Sequence, residues 1–474
     1  MGGIIKKYSA DSLDSSMIPE ILLEIIDGIN KHKGKCYLIG GALLDLMEGK
    51  EAKDYDIEVY NLSYNKLMDI LSDYCNPVLR GKKFCVIKFR RQGIDYDFSI
   101  PRLNNDIGLD DDIDMDLIPK IYPKKAAERR DVTINSMYLK LPGMKLSDPY
   151  NGLEDLNKGV IKHISDKSLY DPRVVLRIMH ILARRGEKVD KDTIEVCKSL
   201  VDEYKNIPIQ KVFNEWTKLL MKADKPSKGL EFLIDCNWIK NYPELDILRE
   251  TEQNLDWHPE GNVWNHTMMV VDNAAILRDK IYYTWQLAFM FGALLHDVGK
   301  VNATADDLTA YGHDKEGIDI AKKFMNRISR NSKLKKKVIS IVRYHMKPSG
   351  LYKSKGGIKG WRRLNNNLRL DVAGYFSLAD HAGRGGNSLD DKYVPFEKCL
   401  ELYERFGEGE KKIEDGGIEP LLQGRDFVKM GYKPGTEFGI LLKEAYEIQI
   451  NEKIEDKDLL LNKIDLSSLK IKKK

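Results

Sequence analysis

Apolar residues recur with helical spacing over residues 19–29, through the run ILLEIIDGI, and Gly34 ends that element. A short β-prone run at 36–39 (CYLI) stops at Gly40 and Gly41, after which ALLDLME predicts a helix closing at Gly49. Residues 55–60 alternate strictly between the two faces of a strand, 84–89 are apolar and β-prone, and 94–100 alternate again. These runs predict a small mixed sheet. From about residue 149 onward strand signals fade and helical patterns take over, among them VVLRIMHILARR, VFNEWTKLLM and GLEFLIDC. Turn-forming stretches at 256–261 (DWHPEG) and 406–417 (FGEGEKKIEDGG) mark boundaries, and no internal repeat is visible.

Composition narrows the class. The 474 residues are 42% hydrophobic and 32% charged, which suits a folded, Lys-rich globular chain and neither a disordered nor a fibrous one. The longest uncharged apolar run, 281–295, has 15 residues, short of the ~18 a membrane span needs, so no membrane association is expected. The N-terminus lacks the apolar stretch and cleavage site of a secretory signal. Cys36, Cys75, Cys85, Cys197, Cys236 and Cys399 form no CxxC pair, which argues against a disulfide framework and a thiolate zinc site. The expected compartment is the cytoplasm.

Net charge is only +4, so composition alone demands no polyanionic partner. Its distribution does more. Residues 321–370 carry sixteen Lys and Arg and no Asp or Glu, a local field able to attract phosphates, against the plainer alternative of a solvated helix face. Six Asp at 106–116 lack the spacing and glycine of a calcium loop and read as an acidic loop.

The sharpest local feature is Gly40-Gly41 followed by KDYDIEVY. Side chains two apart on a strand share a face, so Asp54 and Asp56 present two carboxylates side by side. Such a pair repels itself unless a cation sits on it, and Mg²⁺ completed by nucleotide phosphates is the usual resolution. Gly40 and Gly41 would let backbone N–H groups approach a triphosphate, and Asp97, on the strand after Asp95, is a third carboxylate. The alternative is an exposed strand with an acidic outer face.

The segments IGGALLD, KDYDIEVY, DYDFSIPR, AAERRDVTINSMYL and DPYNGLEDLNKGVIKHI resemble, in order, the class II tRNA nucleotidyltransferase (CCA-adding enzyme) and poly(A) polymerase family. The resemblance implies an α+β fold: a small mixed five-stranded nucleotidyltransferase head, an all-α neck and body, and a helical tail. It implies that Asp54 and Asp56 hold Mg²⁺, with Asp97 as third catalytic carboxylate. It also implies nucleotide contacts from Gly40, Gly41, Arg129, Arg130, Asp131 and Asn135, since guanidinium groups suit triphosphate oxygens and an amide suits a ribose hydroxyl or base edge. The alternative for the RRD run is a charged helix start. Two departures stand out. Leu44 replaces an arginine of the family's GGxVRD, and the base-reading EDxxR of the neck is YDPRV here. Asp171 and Arg177 are retained, Tyr170 replaces the Glu, and Val174 stands at the base-reading arginine. Arg173 lies one residue away, about 100° round a helix. Such a loss is expected to relax or change nucleotide choice.

Six of the nine histidines fall between His258 and His381. Imidazoles and carboxylates converging from several helices suit a one- or two-metal hydrolytic centre without thiolates. His266, His296, Asp297, His313, His345 and Asp380 match the H…HD…H…H…D pattern, so this part resembles an HD-type metal-dependent phosphohydrolase. That implies a divalent ion, or a pair of them, with Lys300 as a phosphate contact or else a surface lysine. The segment DWHPEGNVWNHT and the C-terminal GRDFVKMGYKPGTEFGILLKEAYEIQINEKI resemble bacterial tRNA nucleotidyltransferases with an appended HD domain, so the likeness runs over residues 34–453.

The expected organisation is an N-terminal helical segment (1–33), the head (34–145), a helical neck and RNA-binding body (146–254), the HD domain (255–400) and a helical tail (401–474). The expected function is template-independent addition of nucleotides to RNA 3′ ends, with tRNA or another structured RNA and ATP or CTP as partners, together with HD phosphohydrolase or phosphodiesterase activity. No obligate protein partner is evident. The other reading, motivated by Leu44 and Val174, is an RNA-end or nucleotide hydrolase whose head has become a binding module.

Overall fold

The computed structural model describes residues 8–75, 77–79, 86–101, 118–165, 171–407, 420–432, 434–451, 454, 456–464 and 466. Phe84 and Cys85 of the third expected strand, the acidic run at 106–116, Tyr170 and most of the expected boundary at 406–417 lie outside the described residues. The chain divides into two compact units, Met1–Leu219 with Lys228–Asn241, and Leu220–Ser227 with Tyr242–Lys474.

The first unit opens with α1 (Glu20–Lys31), whose Leu22, Ile25, Ile26 and Ile29 are buried, as the helical spacing predicts. β1 (Lys35–Ile39) leads directly into α2 (Gly40–Met47), then β2 (Asp54–Tyr60) and α3 (Tyr64–Ser72). β3 (Val78–Leu79), β4 (Val86–Arg91), β5 (Ile94–Ser99), α4 (Pro123–Ala127), α5 (Thr133–Ser136), β6 (Tyr138–Leu141) and β7 (Lys145–Ser147) complete the sheet region. The strands form one mixed sheet in the order β3-β4-β5-β2-β1-β6-β7, parallel between β2 and β5 and antiparallel elsewhere. The α+β class is the expected one. The count is seven strands where five were expected, because the short β3 and β7 extend the two edges by hairpin pairing too brief for a periodicity signal. Tyr55, Ile57 and Val59 of β2 and Tyr96 and Phe98 of β5 are buried on one face, where Tyr55 and Tyr96 stack at 5.7 Å. The opposite face is thereby left to the carboxylates.

Helices then dominate: α6 (Gly152–Lys158), α7 (Arg173–Arg185), α8 (Lys191–Ser199), α9 (Ile209–Lys222) and α10 (Pro226–Asp235), with a two-residue parallel pair, β8 (Val160–Ile161) and β9 (Lys188–Val189), between them. Arg185 on α7 reaches Glu48 at 2.8 Å and Arg184 reaches Asp45 at 3.2 Å, which fixes α2 against α7.

The second unit contains α11 (Pro243–Asp246), α12 (Val263–Leu277), α13 (Tyr283–Leu295), α14 (Lys300–Ala303), α15 (His313–Ile328), α16 (Ser332–Tyr344), α17 (Lys347–Lys353), α18 (Ile358–Asn367), α19 (Leu370–Ala382), α20 (Val394–Gly407), α21 (Gly424–Lys429), α22 (Thr436–Asn451) and α23 (Lys457–Leu461). α13 is apolar all round and sits in the core, with Trp285 and every residue from 288 to 295 buried. Gly299 crosses the start of α15 so closely that a Cβ there would meet His313 O at 2.0 Å and Gly317 N at 2.4 Å. Only glycine fits at position 299, between Val298 and Lys300. Among the described residues no helix is long and apolar enough to cross a membrane.

Candidate functional sites

The in-register parallel pairing of β2 and β5 sets Asp54 beside Asp95 and Asp56 beside Asp97. In strands so paired, partners point to the same side, so Asp54, Asp56 and Asp97 share the face away from the aromatic core. Lys88, opposite Asp97 on β4, forms an ion pair with it. Asp56 keeps access to solvent, yet the surrounding protein desolvates its carboxylate and the Asp97 charge adds repulsion, raising its pKa to about 6. One cation is insufficient for three carboxylates, and Lys88 neutralises only one edge of the cluster. The donor set therefore fits a hard divalent ion.

Gly40 lies against this cluster. Its φ is +68°, and a Cβ built there would stand 3.5 Å from Asp56 Oδ2, whereas one built on Gly41 meets nothing within 4 Å. The strand-to-helix turn thus places the start of α2 beside the carboxylates with open space over Gly41.

The expected nucleotide contacts separate into two groups. Arg130 is spent inside the protein: its Nη1 donates to the carbonyls of Asn135, Ser136 and Met137, and its Nη2 pairs with Glu58 at 2.9 Å. Asp131 accepts from the Val132 amide and from Asn135 Nδ2, and pairs with Arg177 at 3.0 Å. Arg129 differs, because its Nη1 is buried with no hydrogen-bond partner among the described residues, and burial lowers its pKa. Just before α7, Asp171 accepts from Nε of Arg173, the first residue of that helix, at 2.8 and 2.7 Å and pairs with its Nη2. Val174 is wholly buried in the packed face of α7, and Leu44 is buried in α2. Both positions that depart from the family's arginines are therefore core positions.

A second site lies wholly within the other unit. His266 on α12, His296 and Asp297 after α13, His313 at the start of α15, His345 after α16 and Asp380 on α19 converge, all buried. Their atoms fall into two sets: His266, His296 and Asp380, and Asp297, His313 and His345. Asp297 spans both, with Oδ2 3.3 Å from His296 Nε2 and 3.7 Å from His266 Nε2, and Oδ1 3.2 Å from His313 Nε2 and 3.7 Å from His345 Nε2. His266 Nε2 lies 3.0 Å from Asp380 Oδ1.

Tautomers follow from the hydrogen bonds. The Nδ1 atoms of His296, His313 and His345 lie 2.7–2.9 Å from the carbonyls of Ala293, Ala310 and Val342, which can only accept. Each Nδ1 therefore carries the proton and each Nε2 offers a lone pair. His313 Nε2 and His345 Nε2 face one another at 3.1 Å, and His296 Nε2 is buried without a hydrogen bond among the described residues. Protons or metal ions can take up these lone pairs, and Asp297 raises the proton affinity of His313 against the opposing effect of burial. The residues fit two divalent ions with Asp297 between them.

The electrostatics agree. Burial opposes ionisation of Asp297, but His296 and Lys300 outweigh it and hold the carboxyl well below its usual range. Burial, then the charges of His313 and His296, push His345 down to about 3. Burial also opposes charge on His266, yet Asp380 and Glu260 raise it to about 9, so a proton takes up the charge deficit there. Phe376 packs 5.6 Å from His296 and 6.2 Å from His345, closing one side of the centre to water.

Lys300 is no surface lysine. It is buried, with Nζ 2.7 Å from Asp297 Oδ2 and 2.6 Å from Gln253 Oε1. Sequence reading missed Gln253, His258, Glu260 and Arg384, whose Nη2 lies 3.6 Å from Asp380 Oδ2. Of these, His258 and Glu260 lie in the quoted DWHPEG segment, so attention to its one histidine and second carboxylate would have found them.

Residues 36–162 match the family described as the poly A polymerase head domain, and residues 263–384 match the HD domain. A multifunctional CCA protein of Paraburkholderia phymatum is 30% identical over 319 residues, covering 65% of this chain and 73% of the relative. One from Vibrio parahaemolyticus is 29% identical over 374 residues, covering 76% and 87%. Among solved structures, the Thermotoga maritima CCA-adding enzyme complexed with tRNA aligns over 96% of both chains with 16% identity and a TM-score of 0.51. A CCA-adding enzyme with ATP aligns over 97% of both with 18% identity and a TM-score of 0.55. At such identities the structural likeness concerns the fold.

Proposed function

The chain belongs to the family of the multifunctional CCA proteins, and from that premise we propose that its head extends the 3′ end of a tRNA or tRNA-like RNA with CTP and ATP while its HD centre hydrolyses phosphate esters at RNA ends. The protein is a nucleotidyltransferase with an HD domain on the same chain. The relatives' name, and neighbours of the same fold solved with tRNA, CTP and ATP, support these substrates.

The observation that carries the transfer activity is the single carboxylate face of Asp54, Asp56 and Asp97 beside Gly40. We assign Mg²⁺ to Asp54 and Asp56; bound there, divalent ions supply charge that favours ionisation of an attacking hydroxyl and departure of pyrophosphate. The RNA 3′-hydroxyl forms a bond to the α-phosphorus of the nucleotide, the bond to the β-phosphate breaks, and the hydroxyl proton is lost. The chain's own part is positioning. Open space over Gly41 admits the triphosphate, Lys88 holds Asp97 in place, and Arg129 meets phosphate oxygens only once its buried, unpartnered Nη1 turns outward. Arg130 and Asp131 act by fixing Asn135, Arg177 and the adjoining backbone. The Asp171–Arg173 pair presents a planar donor–acceptor edge of the kind that reads a base.

At the HD centre, His266, His296 and Asp380 would hold one divalent ion and Asp297, His313 and His345 a second. Nitrogen and oxygen donors of this kind accept several first-row ions as well as Mg²⁺. Lys300 holds the shared carboxylate in register and so acts on phosphate through it.

The test is incorporation of each labelled nucleotide, with Mg²⁺, into a tRNA transcript lacking its terminal CCA, alongside opening of a 2′,3′-cyclic phosphate. Wild type should do both, and Asp54→Ala should lose incorporation while keeping hydrolysis. Hydrolysis without incorporation by wild type would make the head a binding module; loss of both in Asp54→Ala would contradict separate sites.

A further inference from the structure

Among the four histidines of the HD centre, three are held in the same way, by a backbone carbonyl three residues upstream. His266 is held differently. Its Nδ1 lies 3.1 Å from Gly383 O and 2.9 Å from Glu260 Oε1. The same carboxylate oxygen lies 2.8 Å from His258 Nδ1, and Oε2 accepts from the Gly385 amide at 2.9 Å. The Glu260 side chain is only 4% exposed, and three donors from two segments fix it.

Resting on the reading of this centre as a two-ion site, we propose that Glu260 is a positioning residue that makes the two ion positions unequal, strengthening the one formed by His266, His296 and Asp380 over the one formed by Asp297, His313 and His345. A carboxylate on the far nitrogen of a ligating imidazole fixes the ring and makes its other nitrogen a stronger donor, an effect worth 10–100-fold in metal affinity. A backbone carbonyl, being neutral, orients the ring and adds less charge. Glu260 also ties His266 on α12 to the turn after α19, the helix carrying Asp380, so two ligands of the same position are set by one side chain. The third ligand, His296, has no such partner.

Glu260 also lies close enough to His258 and His266 for the three to hold an ion, but its hydrogen bonds favour the positioning role. Gly383 O can only accept, so the Nδ1 of His266 carries a proton, and Glu260 receives that proton's hydrogen bond. His258, His266 and the Gly385 amide all direct donors at this carboxyl group, the arrangement that suits its ionised, acceptor-only form, so it brings charge to the far side of the His266 ring.

The test is titration of the full-length, metal-stripped protein with Co²⁺, followed by calorimetry and by the visible absorption of the bound ion. An Asp54→Ala, Asp56→Ala background removes the head carboxylates from the count. Two unequal steps are expected for the wild-type centre. Glu260→Ala should weaken the tighter step by about 10–100-fold and leave the other within twofold. Glu260→Gln keeps the side-chain volume and one acceptor and should weaken the same step by less, which separates loss of charge from misfolding. Equal steps in the wild-type centre, unchanged constants in both variants, or a parallel fall of both steps would overturn the proposal. A wild-type centre that takes up one Co²⁺ or none would overturn the two-ion reading, and the proposal with it.

Discussion

His313 and His345 point their Nε2 atoms at one another across 3.1 Å, although each ring has already committed its Nδ1 proton to a backbone carbonyl. Two lone pairs held that close repel unless a proton or a metal ion lies between them, and Asp297 Oδ1, 3.2 and 3.7 Å away, supplies the negative partner that either would use.

Chelation should therefore destabilise the second unit. An ion at one hundred times its dissociation constant stabilises the folded state by about 2.7 kcal/mol. For a unit of this size that corresponds to roughly 5–10 °C in melting temperature. Differential scanning calorimetry with and without EDTA should show this shift, and His345→Ala should abolish most of it; a melting curve indifferent to metal would contradict the reading of the centre.

The pH response of the head follows from Asp56. Its folded pKa, about 6, lies above the ordinary carboxylate value, so the folded state binds the proton more tightly than the unfolded chain. That contribution to stability is present below about pH 4 and is lost as pH rises through 6. Metal-free Asp56→Asn should thus melt above wild type at pH 8, with the gap narrowing toward pH 4. Nucleotide incorporation needs the ionised form and should fall as pH drops through about 6. Because proton and cation compete, raising Mg²⁺ should move that limb to lower pH; a limb indifferent to Mg²⁺ would argue that another group controls it.

Nucleotide choice should depend on Arg173 and not on position 174. Val174 is fully buried, so Val174→Arg would place an uncompensated charge in the core and cost on the order of 3–5 kcal/mol without creating a base contact. Arg173→Ala removes a charged donor and should lower kcat/KM by roughly 10- to 100-fold, unequally for CTP and ATP. Equal losses for the two nucleotides would place Arg173 on the triphosphate or the RNA and not on the base.

The basic stretch also has a defined location. Lys347, Lys353, Lys355, Lys359 and Arg363 are exposed along α17, α18 and the link between them, directly after His345. Replacing Lys347, Lys353 and Lys359 by Ala should weaken RNA binding for all sequences and flatten its salt dependence by about one unit per lysine. Hydrolysis of a mononucleotide 2′,3′-cyclic phosphate should be unaffected, since so small a substrate reaches no distant phosphate contact. An unchanged salt slope would mean that this face is merely solvated.

The ligand types were legible because they lie in short motifs with fixed spacing: period two puts Asp54 and Asp56 on one face whatever the rest of the sheet does, and HD at the end of an apolar helix marks a buried pair. Only the tertiary structure decided what those groups meet. The register that sets Asp56 beside Asp97, and Asp97 beside Lys88, pairs strands whose partners no local pattern names. The burial of Val174 depends on which face of α7 packs inward, and a position that reads as a lost base contact is a core residue. Glu260 and His258 were visible as letters, but their role rests on reaching across to His266 and to the turn after α19, over a hundred residues away. Local periodicity sets where a side chain points along its own element; the neighbour it meets is set by long-range packing, which no short window contains.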